Sequence, residues 1–262
     1  MMSIVYFMDG YFGEESIQGK KQVFRLLGLS DKSPFSKKSF ADLGESDQRK
    51  LKGAVLRAIN IRQMNPKGEK TSIYHIFERL NTGGTPLKPQ EIRNCVFRGG
   101  IVNVLRKANQ DKNWRKLVGK NTFDRHQKDV ELVLRIFALT YGFEKYEKPM
   151  KEFLNNAMLN HQSGDTKEAI EFSKAFPEIC AKTVQYLPEK PFHLRGGRLN
   201  VSALDSVLAT ILMNRRKIPA NLGTRYSDLV KDEKFNEATL YSTSDVAVVK
   251  ERFKAAKSHL IE

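Results

Sequence analysis

The sequence predicts a mainly α-helical protein with a small N-terminal β element. Beyond residue 100, apolar residues recur three and four positions apart in nearly every segment, a spacing that places them on one face of a helix. The partial apolar–polar alternation of a strand is confined to residues 54–62, with a second strand candidate at residues 22–29. We therefore expect two parts: residues 1–100, a partial α/β core, and residues 101–262, a helical domain.

Most of the helices can be placed from the apolar pattern alone. In the N-terminal part, residues 3–12 and 47–52 are expected to be helical, the second with Ser46 or Asp47 as its cap. In the second part, the pattern predicts helices near residues 101–108, 113–118, 130–139, 150–158, 179–187, 201–211 and 246–260. The helix at residues 130–139 is apolar on nearly all sides, so it should run through the core and end at Gly142. Pro177 should kink or split the helix that contains it.

Residues 72–100 organise the chain, and they predict a helix, a polar glycine loop and a second helix. The apolar face of the first helix would be Ile73, Ile76, Phe77 and Leu80, and the second helix would direct Ile92, Cys95 and Val96 inward. Gly83 and Gly84 allow a tight turn, Pro89 suits a first helical position, and Gly99-Gly100 ends the second helix. Backbone N–H groups of such a loop can hold an anion, but a plain connection between two helices would use the same residues.

The charge of the chain points to a polyanionic partner. Lys and Arg number 45 against 30 Asp and Glu, which gives a net charge of +15 and a pI near 9.7. Such an excess usually marks contact with nucleic acid, although a generally basic surface is the alternative because the lysines are scattered. No apolar run approaches the ~20 residues that span a bilayer, so no membrane partner is expected.

Cysteine and histidine content gives no sign of a metal site. Cys95 and Cys180 both lie within apolar helical patterns, so we expect buried free thiols and a reducing, cytoplasmic location. The five histidines lack close partners at ligand spacing. His75, in an apolar helix, is expected to be packed or hydrogen-bonded rather than catalytic.

A polar cluster opens the predicted core helix. Its members are Arg125, His126, Lys128, Asp129 and Glu131, and they predict either a ligand-facing cluster or a capped helix start with internal ion pairs. Arg135 lies within the apolar run, where an unpaired guanidinium would be costly, so it should meet a carboxylate or a bound anion. Its expected partners are Glu131, Glu78 or Glu91. Arg195 and Arg198, which flank Gly196-Gly197, could reach phosphates, but a solvated loop is the default.

Residues 77–94, FERLNTGGTPLKPQEIRN, resemble a signature of the GmrSD-type restriction endonuclease N-terminal domain family. Weaker resemblances follow in the same order at residues 125–139, 150–158 and 197–208 and near the end of the chain. The resemblance implies the helical part of a ParB/sulfiredoxin-like domain, the fold of that family's catalytic core. It also implies a role in bacterial defence against foreign DNA.

The chain departs from that family at one motif. The family carries a DGQQR-like motif associated with nucleotide binding and hydrolysis, whereas here Asp9-Gly10 is followed by Tyr-Phe. Asp47-Gln48-Arg49 looks like part of that motif, but it occurs where the family has an ordinary polar helix, so we expect a solvated helix start. We expect a naturally short form or one piece of a split protein, with a truncated remnant as a third alternative. If the chain is active, the resemblance implies a nucleotide hydrolase or nuclease component, with no catalytic residue identified.

These observations together predict a phosphate-binding pocket that would take a nucleoside triphosphate or nucleic acid. Its predicted ligands are Arg79, Asn81, Thr82, Gly83, Gly84, Thr85, Arg93 and Arg98. A supporting polar cluster consists of Glu78, Glu91, Asn94, Arg125, His126, Asp129, Glu131 and Arg135, and a nucleic-acid loop carries Arg195 and Arg198. The expected partners are DNA and a protein that supplies the missing motif or a nuclease domain. A non-enzymatic DNA-binding or assembly subunit is the competing hypothesis.

Overall fold

A computed structural model describes residues 2–12, 22–55, 71–80 and 86–262. The chain divides into two compact units, Met1–Arg62 and Gln63–Glu262. A division between residues 100 and 101, as the sequence suggested, would fall inside the second unit, where Ile92, Phe97 and Ile101 share one core.

The first unit has little regular structure among its described residues. It contains helix α1 (Met2–Asp9), strands β1 (Tyr11–Phe12) and β2 (Gln22–Val23), and helix α2 (Glu45–Lys52). The strands form an antiparallel pair in the register Tyr11↔Val23 and Phe12↔Gln22. The predicted strand at residues 22–29 therefore shrinks to two residues, and Leu26 instead exchanges backbone hydrogen bonds with Lys37 and Lys38.

Among the described residues of this unit, three apolar side chains form one buried cluster. Phe7 packs edge-to-face on Phe40 at 5.8 Å between ring centroids, and Leu43 completes the cluster. Helix α2 begins after Gly44, so Ser46 and Asp47 lie inside the helix and do not cap it, contrary to the prediction. Most of the second predicted strand, residues 56–62, lies outside the described residues.

Helices build the described part of the second unit. They are α3 (Thr71–Leu80), α4 (Pro89–Val96), α5 (Gly100–Asn109), α6 (Lys112–Val118), α7 (Lys128–Gly142), α8 (Met150–Asn160), α9 (Lys167–Tyr186), α10 (Val201–Met213), α11 (Leu222–Leu229), α12 (Glu233–Leu240) and α13 (Val246–Leu260). Short 3₁₀ turns at Phe143–Lys145 and Arg215–Lys217 follow α7 and α10. The mainly α prediction is confirmed.

Helices α7 and α10 form the centre of this unit. Helix α10 is buried from Ser202 to Leu212, and it packs against α7, α9, α12 and α13. Helix α7 runs through the core and ends at Gly142, as predicted. Helix α9 continues past Pro177 for more than two turns, so the predicted split does not occur.

Glycines allow two backbone segments to cross closely beside α5. A Cβ on Gly100 would lie 1.9 Å from the carbonyl oxygen of Ser163, and one on Gly99 would lie 2.1 Å from that of Gln162. The Gln162 amide donates to the Arg98 carbonyl at 2.8 Å across the same crossing. Contrary to the prediction, Gly99-Gly100 does not end α4, because α4 stops at Val96. The pair instead opens α5 and lets the loop after α8 lie directly on its start.

None of the helices among the described residues is long and apolar enough to cross a membrane.

Candidate functional site

Helix α4 packs against the first turns of α7 through polar side chains. Nε of Arg93 donates to Oδ1 of Asn155 at 2.9 Å, and Nη1 donates to Glu131 at 2.7 Å and to Gln90 at 3.2 Å. Only 2% of the Arg93 side chain is exposed. The predicted role of Arg93 as a counter-charge for a ligand phosphate therefore needs correction, because its guanidinium is enclosed and already paired.

The remaining polar residues of α4 reach the turn before α7. The Glu91 carboxylate lies 3.4 Å from Nδ1 of His126 and also accepts from the backbone N–H of Lys88 at 2.7 Å. Asn94 donates to the Gln127 side chain at 2.5 Å. Part of the predicted polar cluster thus lies between these two helices, namely Glu91, Asn94, His126 and Glu131, whereas Glu78 and Arg135 pair elsewhere, with Lys151 and Asp205. Its ion pairs are internal, as the capped-helix alternative required.

The connector between α6 and α7, residues 119–127, is fixed by one buried arginine. Arg115 donates from Nε to the Lys120 carbonyl at 3.0 Å, from Nη2 to the Thr122 carbonyl, and from Nη1 to Asp129 at 2.8 Å. Its guanidinium also lies 4.8 Å from the ring centre of Phe123. These contacts hold the connector as an ordered segment of extended and turned backbone.

Asp129 is the acidic partner that Arg115 needs. Burial of Asp129 tends to raise its pKa. Hydrogen bonds from Asn109, from the Asp124 backbone and from Arg115 act in the opposite direction and together outweigh burial, so the pKa is lowered overall. The carboxylate is therefore held in its charged form by the fold. Asp129 belongs to the structure of the connector and is not available to a ligand.

Arg135 meets a carboxylate, as predicted, but the partner is not one of those expected. Nε and Nη2 of Arg135 donate to Oδ2 of Asp205 on α10, at 3.0 Å and 2.5 Å. Oδ1 of Asp205 accepts from the fully buried Arg252 of α13 at 3.4 Å. Two guanidinium groups thus share one carboxylate that is 1% exposed, which leaves one excess positive charge beside α7.

A cavity of about 660 Å³ lies next to this cluster. The residues around it come from the start of α4, the connector, α7 and the loop before α10: Lys88, Pro89, Gln90, Val118, Lys120, His126, Lys128, Asp129, Glu131, Leu132, Arg135, Gly197, Arg198, Leu199 and Val201. The volume is typical of sites that bind small molecules. We call it the α4–α7 cavity.

The α4–α7 cavity is electropositive for two reasons. Helices α4, α7 and α10 all begin at its wall, so the positive ends of three helix dipoles lie there. In addition, Lys88, Lys120, Lys128 and Arg198 have no carboxylate partner within 4 Å among the described residues. The two acids in the wall, Asp129 and Glu131, are already paired with buried arginines.

The remaining residues of the predicted phosphate site lie around this cavity or fall outside the residues that the structure describes. Asn81, Thr82, Gly83, Gly84 and Thr85 fall outside the described residues, so the glycine loop stays a prediction. Arg198 lines the α4–α7 cavity, whereas Arg195, Arg98 and Arg125 are exposed but do not line it. Arg79 is exposed on α3, and Glu78 of the same helix accepts from Lys151 at 2.7 Å.

Two further predictions from the sequence can be compared with the structure. Cys180 is buried as expected, but Cys95 is exposed, because Ile92 and not Cys95 marks the inner face of α4. Nε2 of His75 lies 3.3 Å from Oε1 of Glu152 on α8.

Three lysines line the α4–α7 cavity, and sequence reasoning singled out only Lys128, as part of the polar cluster that opens the core helix. Lys88, Lys120 and Lys128 are not adjacent in sequence, and each could be an ordinary exposed lysine. The available signal was their position, because Lys88 lies immediately before α4, Lys120 lies between α6 and α7, and Lys128 is the first residue of α7. Asn155, Asp205 and Arg252 were also missed. Asp205 looks like an isolated acid in an apolar helix, whereas Asn155 and Arg252 stand beside other polar residues that resemble an exposed helix face.

Within the described part of the chain, no group of three or more His, Cys, Asp or Glu side chains is placed to hold a metal ion. Comparisons with family models, with curated proteins and with solved structures found no match for this chain.

Proposed function

We propose that this protein binds the phosphate groups of a nucleotide or of nucleic acid in the α4–α7 cavity. One observation carries the proposal: three helices begin at a cavity that also holds four cationic side chains with no acidic partner among the described residues. Unpaired cations and helix N-termini are the groups that proteins use to bind phosphate. Apolar wall residues such as Val118, Leu132 and Leu199 offer a surface for a base or a sugar.

The biological setting of the proposal comes from the sequence. The resemblance of residues 77–94 to the GmrSD-type family supports a role in defence and a domain related to the ParB/sulfiredoxin-like fold. The undescribed glycine loop ends three residues before Lys88, and α4 begins directly after that lysine. The loop and the cavity therefore belong to neighbouring stretches of chain. Hydrolysis is not part of the proposal.

The proposal is tested by calorimetric titration of the protein with a nucleoside triphosphate and with the corresponding monophosphate. Lys120→Gln together with Lys128→Gln removes two cations of the cavity, and we expect at least a tenfold loss of affinity, roughly the 1.4 kcal/mol of one charge-assisted hydrogen bond. The matched control is Lys250→Gln with Lys254→Gln on α13, which makes the same change in net charge at exposed positions away from the cavity. Equal losses in both variants, or no binding by the unmodified protein, would refute the proposal.

A second candidate is a DNA-binding or assembly subunit that acts with a partner carrying the DGQQR motif or a nuclease domain. The net charge of +15 supports it, because DNA binding depends strongly on the number of cations that contact phosphates. It predicts DNA binding that falls steeply with salt and that nucleotides do not compete away. Competition by a nucleotide would instead favour the α4–α7 cavity.

A further inference from the structure

Arg135 belongs both to a buried charge cluster and to the wall of the α4–α7 cavity. Its side chain is 15% exposed, whereas the other two members of the cluster, Asp205 and Arg252, are 1% and 0% exposed. Neither of those two residues lines the cavity. Arg135 is therefore the member of the cluster that a ligand in the cavity can reach.

One carboxylate fixes the orientation of the Arg135 guanidinium. Nε and Nη2 both donate to Oδ2 of Asp205, so the plane of the group is set by two hydrogen bonds. Nη1 donates to no described residue, and Asp205 supplies the only carboxylate within 4 Å of the guanidinium nitrogens in the described part of the chain. The third nitrogen is thus held in a fixed direction and remains available to a ligand.

The cluster contains more positive than negative charge. Asp205 divides its carboxylate between Arg135 and Arg252, and the bond to Arg252 is long at 3.4 Å. Nε of Arg252 is buried and has no hydrogen-bond partner among the described residues. Glu131, one turn before Arg135 on α7, does not supply the missing charge, because its carboxylate accepts from Arg93 at 2.7 Å. Buried guanidinium groups are costly without a counter-charge, so an anion beside Arg135 would complete the cluster.

We propose that Arg135 binds the terminal phosphate of a nucleotide in the α4–α7 cavity. The inference rests on the proposed function, because it takes this cavity as the phosphate site and names the residue that selects the kind of phosphate. A terminal phosphate has three unsubstituted oxygens and up to about two negative charges, so it can approach a recessed guanidinium end-on. An internal phosphodiester has a substituent on each side and a single charge. The ligands of Arg135 are therefore free nucleotides, or nucleic acid only at a phosphorylated end.

Arg135 and the lysines of the cavity have different roles in this proposal. Lys88, Lys120 and Lys128 have no carboxylate partner among the described residues, and an ammonium group on a flexible stem attracts any phosphate without selecting a geometry. A guanidinium held by two hydrogen bonds presents its remaining donor in one direction. Loss of a lysine should therefore weaken every phosphate ligand, whereas loss of Arg135 should change the preference between ligands.

The test measures, by calorimetric titration, the affinity of the full chain for ADP and for the γ-methyl ester of ATP at mildly alkaline pH. The two ligands then carry the same charge, but only ADP has an unesterified terminal phosphate. We expect the unmodified protein to bind ADP at least about tenfold more tightly than the ester. Arg135→Met should remove that preference by weakening ADP binding alone. Arg106→Met, the same change in charge at an exposed position of α5 that does not line the cavity, should keep it.

A second variant tests the geometry of the donor separately from its charge. Arg135→Lys keeps the charge, but its ammonium group can pair with Asp205 and then leaves no fixed donor for a ligand, so the preference for ADP should be lost here too. Circular dichroism melting verifies that each variant is folded. The comparison of the two ligands on the unmodified protein needs no variant.

The possible results separate the two proposals. Equal affinity of the unmodified protein for ADP and for the ester would overturn the role of Arg135 and leave the cavity as a phosphate site. An unchanged preference in folded Arg135→Met or Arg135→Lys would do the same. If the unmodified protein bound neither ligand, the proposed function itself would be refuted.

Discussion

Buried arginines in the second unit hold helices together. Arg93 joins α4 to α7 and α8, Arg115 joins α6 to the connector and α7, and Arg252 joins α13 to α10. Each guanidinium is almost fully enclosed, so each depends on its protein partners for compensation of its charge. At the α4–α7 cavity, the cations with no carboxylate partner among the described residues are Lys88, Lys120, Lys128 and Arg198.

Arg93→Met provides a test of that distinction. The substitution keeps an apolar side chain of similar reach but removes the donors to Asn155 and Glu131. We expect the free energy of unfolding to fall by about 3 kcal/mol, mostly because the buried Asn155 loses its partner, whereas the Glu131 side chain is 33% exposed and can turn to water. Urea unfolding measures the loss. Unchanged stability combined with lost nucleotide affinity would instead make Arg93 a ligand residue.

Asp129 makes stability depend on pH in a defined direction. Its pKa is lower in the folded protein than in the unfolded chain. As the pH falls, the unfolded chain therefore takes up the proton at a higher pH than the folded protein does. The stabilisation is present above the unfolded pKa of about 3.9 and is lost as the pH falls through the folded pKa. Asp129→Asn should therefore lower stability at neutral pH by about 2 kcal/mol and flatten the decline below pH ~5.

This pH prediction is measured by urea unfolding between neutral and acid pH. The control is Asp31→Asn, at an exposed position of the first unit with one long surface contact to Lys37. It should leave both the neutral stability and the acid limb close to those of the unmodified protein. If Asp129→Asn and the unmodified protein decline in parallel, the carboxylate does not supply the pH dependence.

At the scale of elements, the sequence predicts which segments are helical more reliably than which face is buried. Helix α3 shows the difference. Ile76, Phe77 and Leu80 lie at helical spacing as expected, yet Leu80 is 68% exposed. The side chain that fixes the helix is Tyr74, which stacks on Phe97 and lies under the Lys151 ammonium group. Periodicity identifies an apolar face, but only the neighbouring elements determine what covers it.

Prediction of the candidate site from the sequence is limited in the same way, because its contacts join distant segments. The polar residues at the start of α7 could be recognised in sequence because they interrupt an apolar helix. The partner of Arg135 could not, since Asp205 lies 70 residues further along and looks like an isolated acid in an apolar helix. The α4–α7 cavity exists because three helices begin near one another, and such proximity is set by packing between distant segments.

The crossing of α5 and the loop after α8 gives a prediction for a pair of elements. Gly100→Ala would place a methyl group 1.9 Å from the Ser163 carbonyl oxygen, and both elements are held by the core, so we expect a loss of about 3 kcal/mol or more. Gly196→Ala is the matched control, because a Cβ there meets nothing within 4 Å. It should change stability by less than about 0.5 kcal/mol. Thermal melting of both variants measures the difference, and equal melting temperatures would contradict the close crossing.

At the scale of the whole molecule, the two units differ greatly in the size of their cores. The second unit has one continuous cluster of buried apolar residues drawn from α3 to α13. The described residues of the first unit bury only Phe7, Phe40 and Leu43 together. Because chains of about 60 residues are marginal even when they bury a full core, the first unit should contribute little stability of its own.

This difference predicts the behaviour of the separated units. A fragment of residues 63–262 should unfold in one cooperative transition with an m-value close to that of the full chain, since the slope follows the surface exposed on unfolding. A fragment of residues 1–62 should show no cooperative transition. Urea unfolding followed by circular dichroism and by Trp114 fluorescence, a probe buried in the second unit, measures both. If the fragment of residues 63–262 showed no cooperative transition, the first unit would be needed to complete the core. The two units would then not be independently stable.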